Sequence, residues 1–560
     1  MPKQRLPKAV LLRWAGVALA LVAATQAQTP SPSPSPSPSP PLQASAAPSA
    51  PPGAAPTGAP VLESTAAPAA SPTPTAPPIT VTPASVEVPV GSTQAVNVGS
   101  VLGPIAATIH DPAVAGVTVD QSTQTVAVTG KTPGATDVTI SDSRGLTRDV
   151  PVRVAYYAGT VSPQITVPIT GDPASSDFIR EVVARAVRNA ATARPGAQIV
   201  LSDDDVPFNG VLAQDRVAQF DVPVLIQGIQ YFEVDGSTRV DLQNVAVPRI
   251  SPASLMVSDY PERLEENGQL FTADLKSGVP SRFLYFHYNP PGQPDRRIVL
   301  RAENPSNEPA IVQFISGRGG PSPNEMETGH RCTKTFLVDV VQNQGQLLTV
   351  PGDSSVNVVT SELPAGSVVC NVLQLRVLSG GQVHLTLFAQ DAAQSPDVPL
   401  TTAGLLEGTH KHARGIYAIP EFYYATQWNV DGDFLELPIG QIPLPNHLQG
   451  EALAGDYGVL QSFVVTMSNP TSQPQAVAIY ENPRGGRATG TYLIDGVLVQ
   501  SHQVPPFSRY KIRQYVVPAR GFVRVTIVTM PEAGSSYPLR LEFAPDDGSV
   551  APGAPGSPVY

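Results

Sequence analysis

The chain has 560 residues, 62 of them proline, with 14% charged residues, 6% aromatic residues and a formal net charge of −11. An acidic surface excludes nucleic acid and anionic lipid as partners held by charge, because phosphates repel it. The length predicts roughly three to five domains, and the composition points to short strands, many turns and some disorder rather than one large α/β enzyme.

Residues 1–27 read as a secretory signal. Lys3, Arg5, Lys8 and Arg13 form a positive n-region, Trp14 to Ala24 an apolar stretch, and Thr25-Gln26-Ala27 a small-residue cleavage site, with cleavage after Ala27. The apolar stretch falls short of the roughly 20 residues that cross a bilayer, so the mature chain is expected to have no transmembrane segment; a retained anchor is the alternative. No Cys lies near the cleavage site, which excludes a lipoprotein anchor. Removing the signal takes away four positive charges and no negative ones, leaving −15. The expected location is extracytoplasmic: periplasm, cell surface or secreted.

Residues 28–78 form a Pro/Ser/Ala-rich linker. Within 29–78 there are 17 prolines and a single charge, Glu63. Such a tract buries no core and favours an extended polyproline II tether, on the order of 150 Å at full reach.

From residue 79 to 156 the pattern changes to short alternating strands, among them Val86 to Val90, Val126 to Val128, Val138 to Ile140 and Asp149 to Val154. This spacing predicts a small β-sandwich. Val88-Pro89-Val90-Gly91, Asp111-Pro112-Ala113-Val114-Ala115, Gly130-Lys131-Thr132-Pro133-Gly134 with Thr136, and Asp142 with Gly145 resemble the N-terminal domain of pilus-assembly secretins. The same stretch is similar to group-2 bacterial Ig-like domains. Both likenesses imply an Ig-like fold and an envelope or surface setting. Nothing further along resembles a secretin pore, so a channel is not implied.

Residues 157–250 predict a small α+β domain. A helix starts near Ser175 to Asp177, runs through Phe178, Val182, Val183, Ala186, Val187 and Ala190, and stops at Pro195-Gly196. Strands follow at Gln198 to Leu201 and Gln219 to Gln227, then a hairpin from Tyr231 to Leu242 turning at Asp235-Gly236.

The remainder carries an internal repeat, copy 1 at 251–395 and copy 2 at 396–546. Val299 to Ser306 matches Val464 to Thr471, each ending in Asn-Pro-Ser/Thr; Arg318-Gly319-Gly320 matches Arg484-Gly485-Gly486. Phe336 to Asp339 aligns with Tyr492 to Asp495, Val350-Pro351 with Val504-Pro505, and Pro364 with Pro518. Two related β-sandwiches are expected, followed by a disordered tail at 547–560. The fold class is therefore mainly β and multidomain: Ig-like β-sandwiches, one small α+β domain and a disordered Pro-rich N-terminal tether.

Chemistry is sparse. Cys332 and Cys370, the only cysteines, are expected to form a disulfide in an oxidising compartment, with two separate buried thiols as the alternative. His410 and His412 would share one face of a strand, but no carboxylate or Cys is adjacent in sequence, so no metal ligands are assigned. Asn429, Asp431 and Asp433 resemble a calcium loop, yet Phe434 stands where the EF-hand needs Gly. Asp203-Asp204-Asp205 is an acidic turn, and His287 a packed strand residue. Nucleophile-elbow, zinc-protease and phosphate-loop patterns are missing, so no catalytic residues and no cofactor are expected. The aromatic segment between the copies, with Tyr417, Phe422, Tyr423, Tyr424 and Trp428, is core or a binding surface for a protein or glycan partner. The expected role is an exported structural or adhesive binding protein of the envelope, accessory to a pilus or secretion assembly. The rival is a secreted, carbohydrate-directed hydrolase carrying an Ig-like positioning module, and a metal- or calcium-dependent binder is a third reading.

Overall fold

The computed structural model describes residues 76–398, 404–409, 412–445 and 452–550. The signal with its cleavage site, almost all of the tether, His410 and the end of the tail lie outside the described residues. Strands hold 55% of the described residues and helices 8%, so the fold is mainly β.

The first module is a sandwich of two four-stranded sheets. One runs Thr80–Thr82, Thr93–Gly99, Thr125–Gly130, Ala115–Asp120; the other runs Val86–Pro89, Thr147–Ala155, Gly134–Ser141, Ala106–Ile109. Alternate valines, among them Val86, Val88, Val126, Val128, Val150 and Val152, fill the core, as a period of two requires. The segments that carry the secretin likeness touch one another. Lys131 Nζ donates to the Pro112 carbonyl (2.8 Å) and Thr132 Oγ1 to that of Ala113 (2.9 Å). Gly130 is required there, since a Cβ would stand 2.8 Å from the Pro89 oxygen.

A ten-stranded sheet follows, continuous from Gln198–Val200 through Arg216–Gln227, Val234–Asn244, Gln164–Thr170, Gly345–Val350, Ala310–Ser322, Ser367–Ser379, Ser281–Asn289 and Ser254–Ser258 to Arg414–Tyr417. The expected α+β segment and copy 1 thus share one sheet. Helix α1, Ser176–Ala190, is capped by Ser175, whose hydroxyl accepts from Phe178 N–H. The hairpin differs from expectation: Val224 pairs with Gly236, so Asp235-Gly236 lies within a strand and the chain turns between Gln227 and Val234.

Copy 1 closes with a second sheet, Gly268–Leu275, Val383–Asp391, Arg296–Asn304, Ser354–Leu363, over a core that includes Leu270, Phe283, Leu300 and Leu387. Copy 2 packs a five-stranded sheet (Glu421–Asn429, Leu460–Ser468, Phe522–Thr529, Ala488–Ile494, Val497–Val504) on a four-stranded one (Leu435–Ile439, Leu539–Pro545, Gln475–Pro483, Tyr510–Val517).

The two copies share one turn, bond for bond. Asn304 Nδ2 donates to the carbonyls of Glu308 and Val350 at 2.7 and 3.1 Å, and Asn469 Nδ2 to those of Gln473 and Val517 at 2.8 and 3.1 Å. Each asparagine Oδ1 accepts from the backbone and hydroxyl of Ser306 or Thr471. These bonds correct the alignment downstream: Val350-Pro351 corresponds to Val517-Pro518, not to Val504-Pro505. Phe336 to Asp339 has no counterpart in Tyr492 to Asp495, because the former lies on helix α2, Glu325–Val341, and the latter leaves a strand. Copy 1 carries α2 where copy 2 carries the hairpin Ala488–Ile494/Val497–Val504.

Helix α2 was not expected from sequence. It packs on the ten-stranded sheet and against copy 2 through Cys332, Phe336, Val340, Met530 and Ala533. The approach is close enough that a Cβ on Gly329 would meet the Ala533 carbonyl oxygen at 1.6 Å.

Candidate binding groove

The edge strand Glu421–Asn429 pairs in parallel with Leu460–Ser468, and its outer edge has no strand partner among the described residues. Its start is held by Arg282, a fully buried side chain of copy 1. Arg282 donates to the Pro420 carbonyl at 2.6 Å and meets Glu421 Oε1 at 2.8 Å. From this anchor the strand presents its aromatics to solvent: Tyr423 is 70% and Tyr424 49% exposed, and Phe422 is half-buried. Lone exposed apolar residues are ordinary, but an unpaired edge bearing adjacent aromatics is not.

These residues form one wall of a groove of about 580 Å³, whose other walls include Ile419, Ile442, Pro443, Pro445 and Phe463. Asp456 also lines it. That residue is 4% exposed, has positive φ (53°), and its Oδ1 is buried without a hydrogen-bond partner. Burial pushes its carboxyl up to about 7, so near neutral pH it both donates and accepts. The supporting turn is fixed by Tyr457, whose hydroxyl donates to the Ser535 carbonyl at 2.8 Å and whose ring meets Tyr537 edge-on. Aromatic walls with one buried polar group suit a ligand with an apolar face and a hydroxyl or amide edge.

Of the five aromatics expected as core or binding surface, Tyr417 and Trp428 are core. Tyr417 is 1% exposed, on the edge strand Arg414–Tyr417 of the ten-stranded sheet, and Trp428 is 6% exposed, packed on Phe543 with Nε1 donating to the Asp433 carbonyl (2.7 Å). Sequence reasoning missed Asp456 and Ile442, which are brought in by the fold and carry no local signal.

The other candidates resolve locally. Cys332 and Cys370 are free, buried thiols, so the expected disulfide is not present. They meet as packing residues of α2 and Ser367–Ser379, and the Cys332 thiol hydrogen bonds the Gly317 carbonyl. Burial, and then the neighbouring Cys332, raise the Cys370 thiol well above its ordinary range, which keeps it protonated. Asp205 closes a capping box with Ser202, and Gly432 N–H donates to the Asn429 carbonyl, so both acidic stretches are turns. His287 is buried between Pro261 and Ser258, and burial lowers its pKa to about 4, leaving it neutral.

Two arrangements join residues far apart in sequence. His330 of α2 contacts Glu532 of copy 2 at 3.0 Å through Nδ1 and Gln500 Oε1 at 3.1 Å through Nε2, inside a buried network with Thr489 and Thr491. His412, for which the sequence offers no adjacent carboxylate, stands between two: Nδ1 lies 3.5 Å from Asp259 Oδ2 and Nε2 2.9 Å from Glu262 Oε2.

Residues 82–155 match the family described as pilus formation protein N terminal region, in agreement with the secretin likeness. A comparison with curated proteins finds no match. Among solved structures, the fibronectin(III)-like modules of Clostridium thermocellum CbhA align at 12% identity over 31% of this chain and 98% of theirs, with a TM-score of 0.17. The human desmocollin-1 ectodomain aligns at 11% identity over 36% of this chain and 45% of its own length, with a TM-score of 0.13. Carbohydrate-binding modules of the β-sandwich superfamily align at 14% identity over 56% and 97%, with a TM-score of 0.12. At such TM-scores these likenesses bear on neither fold nor function. Among the described residues no helix is long and apolar enough to cross a membrane.

Proposed function

We propose that this chain is an exported structural or adhesive protein of the cell envelope, accessory to a pilus or secretion assembly, which engages a protein or glycan partner through the copy 2 groove. The observation that carries the reading is the groove itself: exposed Tyr423 and Tyr424 on an unpaired edge, opposite the buried carboxyl of Asp456. The pilus-formation match at 82–155 supports the setting, and the signal and proline-rich tether support export with the globular part held away from the N-terminus. A binding role rather than hydrolysis is favoured because the sandwich cores are filled with apolar side chains. The buried His330–Glu532 pair meanwhile ties two modules together instead of lining the groove.

Cell fractionation with protease shaving of intact cells tests the setting. The chain is expected outside the cytoplasmic membrane; protection in the cytoplasm would overturn the proposal.

A further inference from the structure

Asp259 and His412 lie more than 150 residues apart in the chain, and the fold sets them side by side. Strands Ser254–Ser258 and Arg414–Tyr417 are antiparallel neighbours, and Asp259 N–H extends their ladder by donating to the Ala413 carbonyl at 2.9 Å. Glu262 is held through the backbone: Tyr288 N–H donates to its carbonyl (2.7 Å), and the His287 side chain donates through Nδ1–H to that of Pro261 (2.9 Å). Tyr260 adds a bridge to Gly408 through its hydroxyl, at 2.8 and 2.9 Å. The frame is therefore built before any ligand arrives.

One ligand atom from each of Asp259, Glu262 and His412 lies within 4.8 Å of the others. Tetrahedral ligands about 2.0–2.1 Å from a zinc ion stand roughly 3.3 Å apart, and Nε2 of His412 lies 2.9 Å from Oε2 of Glu262. A second observation points the same way: Asp259 Oδ1 is sealed from solvent and has no hydrogen-bond partner. A carboxylate oxygen left so is costly unless something positive meets it. The trio also borders two cavities, of about 480 and 220 Å³, the larger lined by Glu262, Glu265 and Glu266 as well as His412. These give an ion a way in and leave room for a water ligand.

We propose that Asp259, Glu262 and His412 form a divalent transition-metal site of the zinc class, with water in the fourth position. One imidazole and two carboxylates suit such an ion better than calcium or magnesium, which favour all-oxygen shells. The ion takes one ring nitrogen of His412 in place of its proton. The site lies at the far edge of the ten-stranded sheet, where the ion would join Ser254–Ser258 to the segment that enters Arg414–Tyr417.

The test uses the full chain, stripped with a chelator and desalted. Calorimetric titration with Zn²⁺ is expected to show one equivalent bound, and thermal scans a rise of several degrees in the melting midpoint, with no rise on adding Ca²⁺ or Mg²⁺. His412→Ala should abolish both effects while melting near the stripped wild-type protein, because its side chain is partly exposed. Glu262→Gln, which keeps the shape, should weaken Zn²⁺ binding at least tenfold and serves if His412→Ala fails to fold. Equal Zn²⁺ effects in wild type and His412→Ala would place the binding at other histidines and overturn the proposal. So would an equal response to Ca²⁺, or no binding at all, which would leave His412 as a protonated clamp between two carboxylates.

Discussion

Asp456→Asn isolates the tension between stability and binding in the groove. Asn matches the carboxyl in shape and tolerates positive φ, so the turn keeps its backbone and only the charge is lost. Burial moves the carboxyl from its ordinary 3.8 to about 7, so the folded protein holds this proton more tightly than the unfolded chain. Stability from this group is thus present at low pH and is lost as pH rises from about 4 through about 7. At pH 8.5 the buried charge costs at most about 4 kcal/mol, at 1.36 kcal/mol per pH unit. Solvent in the groove screens part of that, and about 1–3 kcal/mol is expected. Trp428 in the copy 2 core reports the transition in protein produced from Gln28 onward, which omits Trp14, the other tryptophan. In urea titrations Asp456→Asn should be more stable than wild type at pH 8.5, and the gap should shrink by more than half at pH 5. Glu481, also pushed up to about 7 by burial, is present in both proteins and cancels. Equal stability at pH 8.5, or a gap that does not change with pH, would refute the reasoning.

Asn469→Ala removes the brace of the shared turn and should cost about 1–3 kcal/mol in the same Trp428-monitored titration, since the buried Val517 carbonyl and the part-buried Gln473 carbonyl lose their donor. His330 gives a second pH signature. Although burial opposes its charge, Glu532 and then Gln500 raise its pKa. Its contribution is therefore full below about 6.5 and fades as pH rises through the folded value. His330→Gln should lower the melting temperature more at pH 5.5 than at pH 8.5, by the equivalent of about 1–3 kcal/mol. His502, whose ring lies 4.5 Å from that of His330, has its pKa lowered by burial and by the His330 charge. For the cysteines, a thiol reagent should label none in the folded chain and two after denaturation; no labelling in denaturant without reductant would mean a disulfide.

What the sequence revealed was local. The valine alternation of the first module, the cap at Ser175 and the local bonds of the two Asn-Pro-Ser/Thr turns involve residues close in sequence, and each is legible; the bonds of those turns to Val350 and Val517 are not. Helix α2 was not, because Gly329, Thr328, Thr333 and Thr335 weaken its helical signal and it buries residues on more than one face. Aligning Phe336 to Asp339 with a strand followed from that. The aromatic segment could not be divided into core and surface, since sheet order decides it: Tyr417 is covered by its neighbours, whereas Tyr423 and Tyr424 lie on the open edge of another sheet. Asp456, the Asp259–Glu262–His412 cluster and the His330–Glu532 pair depend on contacts between distant segments, which no spacing encodes.

The groove is the central claim, and co-sedimentation of the chain with isolated cell-envelope fragments tests it most directly. Wild type should pellet with the fragments, and Tyr423→Ser/Tyr424→Ser should stay in the supernatant with an unchanged urea midpoint, because both side chains are exposed. Equal pelleting of the two proteins would contradict the account.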